Sequence, residues 1–264
     1  MAKIHSSAIV SSAAKIGEDV EIGPYAIVEG DVEIGAGSKL EAHAVLKDGA
    51  RIGKSVTVGN FAVVAGLPQD LSFDSSTRTF AKVGDGTTLR EGVTINRATK
   101  EGGFTLVGES CFVMAAAHVG HDSVVGNNVV IGNASLLGGH VSVGDRAFLG
   151  GCSGIHQFCR IGESVMFGGQ STATMDVAPF TIFAERNALF GLNLVGLRRR
   201  GFSKDAIAEL QRCYRKVFMG TGNMRILASE LLERSEALSA ESIRFLEFFA
   251  GGKRGFATPN RSVK

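Results

Sequence analysis

Val107, Val113, Val119, Val125, Ile131, Leu137, Val143, Leu149, Ile155, Ile161 and Phe167 stand six residues apart in one unbroken phase. The same beat runs from Ile4 through Val10, Ile16, Ile22, Val28, Ile34, Leu40, Leu46, Ile52 and Val58 to Val64, and returns at Val83, Leu89 and Ile95. An α-helix repeats its apolar face every three to four residues and a half-buried strand every second, so a period of six is neither. It describes very short strands separated by turns, wound into a parallel solenoid whose core is a ladder of stacked aliphatic side chains. Three six-residue faces make a triangular coil of about eighteen residues. Glycine follows the ladder residue at Gly17, Gly23, Gly35, Gly53 and Gly126, and the position four after it is small, as at Ala26, Ser38, Ala44, Ala117 and Ser135. The expected fold is mainly β, a parallel β-helix, with an α-helical segment at its C-terminal end.

The beat breaks twice. From Gly66 the run Pro68-Gln69-Asp70-Leu71-Ser72 replaces the ladder, and the phase has slipped by one when it resumes at Val83. Between Asn96 and Phe104, Glu101 stands where an aliphatic residue is due. Solenoids carry such insertions as loops projecting from one corner, and those loops often line a binding face. The composition changes after Pro179, and the stretch 181–197 reads as a connector rich in Phe and Asn. Ser203 is an N-cap for a helix with the stripe Ile207, Leu210, Tyr214, Val217 and Phe218, which stops near Gly220 or Gly222. A second helix carries Ile226, Leu227, Leu231 and Leu232, and a third starts near Ser239 and presents Ile243, Leu246 and Phe249. Residues 1–190 are thus expected as the solenoid domain, with excursions near 66–80 and 96–104, and 191–264 as a helical domain ending in a basic, loosely held tail from Lys253. A helical segment of that size is marginal alone, so it is expected to pack on the last coils or on a neighbouring subunit.

Lys plus Arg number 28 against 26 for Asp plus Glu, a net charge of +2 that gives no case for nucleic acid or a membrane surface as partner. No apolar run approaches the ~18 residues of a membrane span and no N-terminal stretch reads as a signal peptide, so the expected location is the cytoplasm, without membrane insertion. Cys111, Cys152, Cys159 and Cys213 lack paired ligand spacing; Cys111 and Cys159 fall on small inward positions, as packed thiols in a reducing compartment.

Four histidines, His118, His121, His140 and His156, carry the functional signal. Counted around the coil, His121, His140 and His156 fall within one place of a common phase, on successive coils ~4.8 Å apart along one outer edge. A histidine titrating near ~6.5 suits a general base at neutral pH once a carboxylate or carbonyl fixes its tautomer. Asp122 follows His121, but adjacent residues point differently, and the sequence leaves open whether they touch. Gly138-Gly139 before His140 allows close backbone approach at a corner, with a main-chain N–H for a developing oxyanion. Three edge histidines also suit zinc, but the third lies ~10 Å from the first within one chain, so that reading needs a histidine from another subunit. A purely structural solenoid needs neither aligned histidines nor two excursions.

Ala117-His118-Val119-Gly120-His121-Asp122, Gly138-Gly139-His140-Val141, Ile155-His156-Gln157-Phe158-Cys159, Gly196-Leu197-Arg198-Arg199-Arg200-Gly201-Phe202, Pro68-Gln69-Asp70-Leu71 and Thr94-Ile95-Asn96-Arg97 together resemble the bacterial UDP-N-acetylglucosamine O-acyltransferases, lipid A biosynthesis enzymes of the hexapeptide-repeat acyltransferase family. The resemblance covers essentially the whole chain. It implies a left-handed parallel β-helix, a homotrimer with active sites between subunits, and transfer of an (R)-3-hydroxyacyl group from acyl carrier protein to the 3-hydroxyl of UDP-N-acetylglucosamine. His121 is then the general base, Asp122 its support, and the Gly139 N–H meets the oxyanion. By the same resemblance His118, His140, His156 and Gln157 line the donor and sugar sites, and Gln69 and Asp70 reach the UDP-sugar from a neighbouring subunit. Asn193 with Arg199 or Arg200 meets a diphosphate or the phosphopantetheine, and Gly169 holds the position of the chain-length ruler. No metal is implied, and no cofactor beyond the carrier's phosphopantetheine.

Three residues depart from the family pattern, all on the acceptor side: Ser72 where lysine is usual, Ala98 in place of glycine, and Val195 in place of an acid. Arg78 and Lys82 are the cations expected to compensate at the first. Members with an uncharged residue there resemble enzymes that acylate the 3-amino sugar nucleotide. N-acyl transfer therefore stands beside O-acyl transfer, with a zinc-dependent, carbonic anhydrase-like enzyme on the same solenoid as a third reading.

Overall fold

The computed structural model describes residues 1–234 and 238–260. Each short strand pairs in parallel with the strand one coil away: Lys3 lies opposite Glu21, Ile9 opposite Ile27 and Lys15 opposite Glu33. Three sheets result, of twelve, nine and eight strands among the described residues, and they form the walls of a left-handed parallel β-helix. The six-residue beat fills its interior, with Leu40, Val64, Ile95, Val119, Ile131 and Leu149 fully buried. Ile4, Val10 and Ile16, in the first coil, are less covered.

At the corners the chain turns through left-handed φ even without glycine; Asp122 (59°), His140 (59°) and Phe158 (65°) form one such column. That region is uncommon for residues with a side chain. Here inter-coil bonds hold it: the His140 N–H donates to the His121 carbonyl at 2.9 Å and the Phe158 N–H to that of Gly139 at 3.1 Å. Both excursions leave the ladder intact, since Thr57 pairs across the first with Thr88 and Thr94 across the second with His118.

The stretch 181–197 is more regular than a connector. Thr181–Ala184 and Ala188–Leu192 form an antiparallel hairpin on the first sheet, and helix α1 (Leu194–Arg199) follows. Buried Thr181 and Phe183 alternate with half-buried Ile182 and Ala184, the period of a strand, over too few residues to stand out from a Phe-rich loop. Helix α2 (Lys204–Met219) is capped by Ser203, which accepts from the Ala206 N–H at 3.1 Å. Helix α3 spans Met224–Arg234, and α4 (Ala240–Glu247) is capped by Ser239. Leu210, Tyr214, Phe245 and Phe249 pack together with Phe180, so the helices dock on the solenoid of their own chain. Ile226, expected on the α3 stripe, is exposed, and Ala228 is buried instead.

The tail is fastened over its described part. Thr258–Pro259 joins the first sheet beside Ala188–Leu192. Arg225 donates to the carbonyls of Phe249, Ala250, Gly251 and Gly252. Arg160, bound to buried Asp176 at 2.8 Å, donates to those of Phe248 and Gly251. Residues 261–264, the end of the expected loose tail, lie outside the described residues. Among the described residues no helix is long and apolar enough to cross a membrane.

Candidate active site

One outward residue per coil on the second sheet makes a column in register: Thr94, His118, Leu136, Gly154 and Thr172. Strand neighbours alternate between the core and this outer face, so the period that fills the core also sets the column. It floors an open cleft of about 820 Å³. His121, Gly139, His156 and Gln157 stand along one wall, and Gln69 and Asn96 also line it. A second hollow, of about 710 Å³, lies on the first sheet near the N terminus. Its Lys3 and Glu21 pair with each other at 2.8 Å, and it holds no base beside an orienting carboxylate, so the chemistry belongs to the histidine cleft.

The left-handed φ of Asp122 turns its carboxylate back onto its neighbour, and Nδ1 of His121 lies 2.8 Å from Oδ2. Thr99, in the second excursion, donates its N–H to both carboxylate oxygens at 3.2 Å and its hydroxyl to Oδ2 at 2.8 Å. The Asp122 N–H donates to Thr105 Oγ1 at 2.8 Å. Burial pushes the Asp122 carboxyl up, but the bonds from His121 and Thr99 outweigh it and hold it below the ordinary carboxylate value. An ionised carboxylate only accepts, so Nδ1 of His121 carries the proton and Nε2 the lone pair of a base. A Cβ on Gly139 would come within 2.6 Å of that Nε2. His121 is only 9% exposed, so it is no open edge residue: the next coil covers it. Among the described residues the Gly139 N–H meets no acceptor.

Burial, and then the neighbouring His121, lower the pKa of His118, whose Nδ1 lies 2.7 Å from Thr94 Oγ1. Burial also lowers that of His140, more than Asp122 raises it. The His140 ring stands edge-on to His121 at 5.2 Å and stacks on Phe158 at 4.6 Å, with Nε2 3.6 Å from Asp122 Oδ2.

Of the expected site residues, the fold brings Gln69, His118, His121, Gly139, His156 and Gln157 to one cleft, with Asp122 and His140 beside His121. Gln69 lines the cleft of its own chain. Asp70 accepts from the N–H and hydroxyl of Ser72 at 2.9 and 2.7 Å, and these bonds lower its pKa. Asn193 caps α1, accepting from the Gly196 N–H at 3.0 Å, and Arg200 donates to the Arg146 carbonyl at 2.8 Å. Arg199 and Gly169 are exposed. None of these five lines the cleft.

Arg78 and Lys82 do not compensate for the absent lysine: Arg78 pairs with Asp31 at 3.0 Å, and Lys82 sits 3.9 Å over the Phe104 ring. Among the described residues of the single chain, three histidines do not gather as a zinc site would need. The group whose ligand atoms lie within 4.8 Å of one another is His121, Asp122 and His140, and His156 instead meets Arg254. Thr94 and Asn96 enter the sequence reading only as part of a resemblance motif, and it expects no role in the site of them, of Thr99 or of Thr105. The register of the ladder could have placed Thr94 beside His118; nothing in residue spacing marks Thr99.

Residues 176–257 match the family model described as UDP N-acetylglucosamine O-acyltransferase, domain 2, and residues 13–48 and 104–139 match the bacterial transferase hexapeptide model. The chain is 41% identical over 258 residues to the acyl-[acyl-carrier-protein]–UDP-N-acetylglucosamine O-acyltransferase of Campylobacter lari, covering 97% of this chain and 96% of that protein. A protein of the same name from Anaeromyxobacter dehalogenans is 38% identical over 254 residues, 96% of this chain and 98% of the other. The crystal structure of a UDP-N-acetylglucosamine acyltransferase from Bacteroides fragilis is similar with a TM-score of 0.90 at 36% identity, over 96% of this chain and 99% of that one.

Proposed function

This chain belongs to the bacterial UDP-N-acetylglucosamine O-acyltransferase family, and from that premise we propose that it moves an (R)-3-hydroxyacyl group from acyl carrier protein to the 3-hydroxyl of UDP-N-acetylglucosamine. The observation that carries the reading is the His121–Asp122 pair, which leaves a basic Nε2 on the cleft wall close against Gly139. Nε2 takes the proton of the sugar hydroxyl as its oxygen attacks the thioester carbonyl, and the Gly139 N–H meets the oxyanion that forms. On collapse the C–S bond breaks, and the imidazolium returns its proton to the departing phosphopantetheine thiolate. Asp122 stays ionised and stabilises the imidazolium between the two steps.

Exposed Leu136 and side-chain-free Gly154 offer the acyl chain an apolar strip along the floor. Gly169, which lies outside the cleft of the single chain, is its ruler on the family resemblance alone. His118, His140, His156 and Gln157 serve donor and sugar binding. Gln69, Asp70, Asn193, Arg199 and Arg200 meet the UDP-sugar or the carrier, guanidinium forks being suited to phosphate oxygens. In this division of labour residues 1–190 are the acyltransferase solenoid and 191–264 the helical domain.

The active unit is a homotrimer. Its support is an apolar outward column on the first sheet, Phe112, Val130, Phe148 and Met166, level with the cleft coils and one corner away. Phe148 and Met166 are exposed in the single chain. A parallel neighbour that lays this column toward the cleft makes a head-to-tail contact, which closes as a ring.

Competition between equal amounts of the 3-hydroxy and 3-amino sugar nucleotides, with hydroxyacyl carrier protein as donor, tests the acceptor. Ester is the expected main product. A preference for the amine above roughly tenfold, about 1.4 kcal/mol, overturns it in favour of amide formation. Ser72 is the observation on that side, since it leaves its loop without the usual cation.

A further inference from the structure

We infer that Arg254 fixes the tautomer of His156, making its Nε2–H a permanent donor to a carbonyl or phosphate oxygen of the bound substrate; the substrate half of this rests on the acyl-transfer reading of the cleft. Arg254 comes from 98 residues along the chain. Its terminal nitrogen meets Nδ1 of His156, and its Nε–H donates to the Gln157 carbonyl at 2.9 Å. A guanidinium offers five N–H donors and no acceptor, and it stays protonated. Nδ1 of His156 must therefore accept. The Gln157 carbonyl, 3.3 Å from the same Nδ1, asks the opposite of it. That carbonyl is already served by Arg254 Nε at the shorter distance, and a proton on Nδ1 would face a guanidinium N–H. The neutral ring thus carries its proton on Nε2. His156 and Gln157 both line the cleft, so the arginine orders the wall and is a positioning residue.

The segment that presents Arg254 is held on both sides. Before it, Arg160 and Arg225 collect the carbonyls of residues 248–252. After it, the Asp176 N–H donates to the Gly255 carbonyl at 2.9 Å, and the Ala257 N–H to the Asp176 carbonyl at 2.8 Å. Gly252 (φ 89°) and Gly255 (φ 72°) make the turns that bring residue 254 back to the cleft. Asp176 is fully buried, so this anchor is part of the core.

Nitrogen NMR of the full chain labelled with 15N-histidine reads the tautomer directly, and a His156→Gln variant assigns the signals. In the neutral ring of the wild type, Nδ1 is expected at the shift of a bare nitrogen and Nε2 at that of a protonated one. Arg254→Met keeps the length of the side chain and removes the donor; the two signals should then move toward each other. In steady-state kinetics Arg254→Met should raise a substrate KM about three- to tenfold, the loss of one neutral hydrogen bond, with kcat changed less than KM. Arg254→Lys, also donor-only, should recover part of that loss. A protonated Nδ1 in the wild type overturns the proposal, and this result needs no variant to fold. Unchanged KM in a folded Arg254→Met overturns the substrate half. Expected ring signals in an enzyme that forms neither ester nor amide refute the acyl-transfer reading and leave the tautomer assignment standing.

Discussion

Gly139→Ala puts one methyl group against the catalytic base. Its Cβ would lie 2.6 Å from both Cε1 and Nε2 of His121 and 3.1 Å from Nδ1. Ordinary contact begins near 3.4 Å, so the ring must retreat by about 0.8 Å. It is not free to do so. Nδ1 is tied to Asp122, and Asp122 to Thr99 and Thr105. A misplacement near 1 Å at a reacting group is worth roughly 10²-fold, so kcat should fall about 100-fold, or ~2.7 kcal/mol of barrier. Folding should lose only roughly 1–3 kcal/mol, as at other overpacked sites. Gly154→Ala is the control: it adds the same methyl group to the floor of the same cleft, with its nearest neighbour 3.9 Å away, and should cost a few-fold at most. Initial rates at saturating donor and sugar nucleotide, with thermal melts of both variants, decide the matter. If the two variants turn over equally, the ring has room to yield, and the close approach of Gly139 to His121 does not set the rate.

Thr99→Val keeps the N–H bonds to Asp122 but removes the hydroxyl bond. Loss of a hydrogen bond to a charged group is worth roughly 1.5–3 kcal/mol, so kcat should drop at least about tenfold, with Thr99→Ser near wild type; equal loss in both would show that the hydroxyl is not what holds the carboxylate. Stability should also depend on pH through His118 and His140, both lowered from 6.5 mainly by burial. Below that value the unfolded chain binds protons that the folded chain refuses, so stability rises with pH and is lost as the pH falls through about 6.5. Calorimetric Tm should therefore decline between about pH 7.5 and 5.5, less steeply in a His118→Gln, His140→Gln double variant; equal slopes would refute the assignment.

Residue type at fixed spacing determined the solenoid, because a ladder of parallel strands one coil apart can be read by dividing positions by a constant. Leu137 and Ile155 belong to one face for that reason, and the excursions at residues 66 and 96 show themselves as breaks in the same count. The caps at Ser203 and Ser239 were equally local, since an N-cap is a matter of three or four residues. Division also brought the histidines to one edge, but it could not aim them. His121, Gly139 and Gln157 share one column, and Asp122, His140 and Phe158 the next, so one place of phase at a tight corner separates the base from its support. Whether His121 and Asp122 touch depends on the left-handed φ of Asp122, a backbone angle that their adjacency does not specify. Thr99 reaches the carboxylate through the path of a loop, and Arg254 reaches His156 because two distant arginines fasten its segment. Those contacts join parts of the chain that share no period, and only the packed coils bring them together.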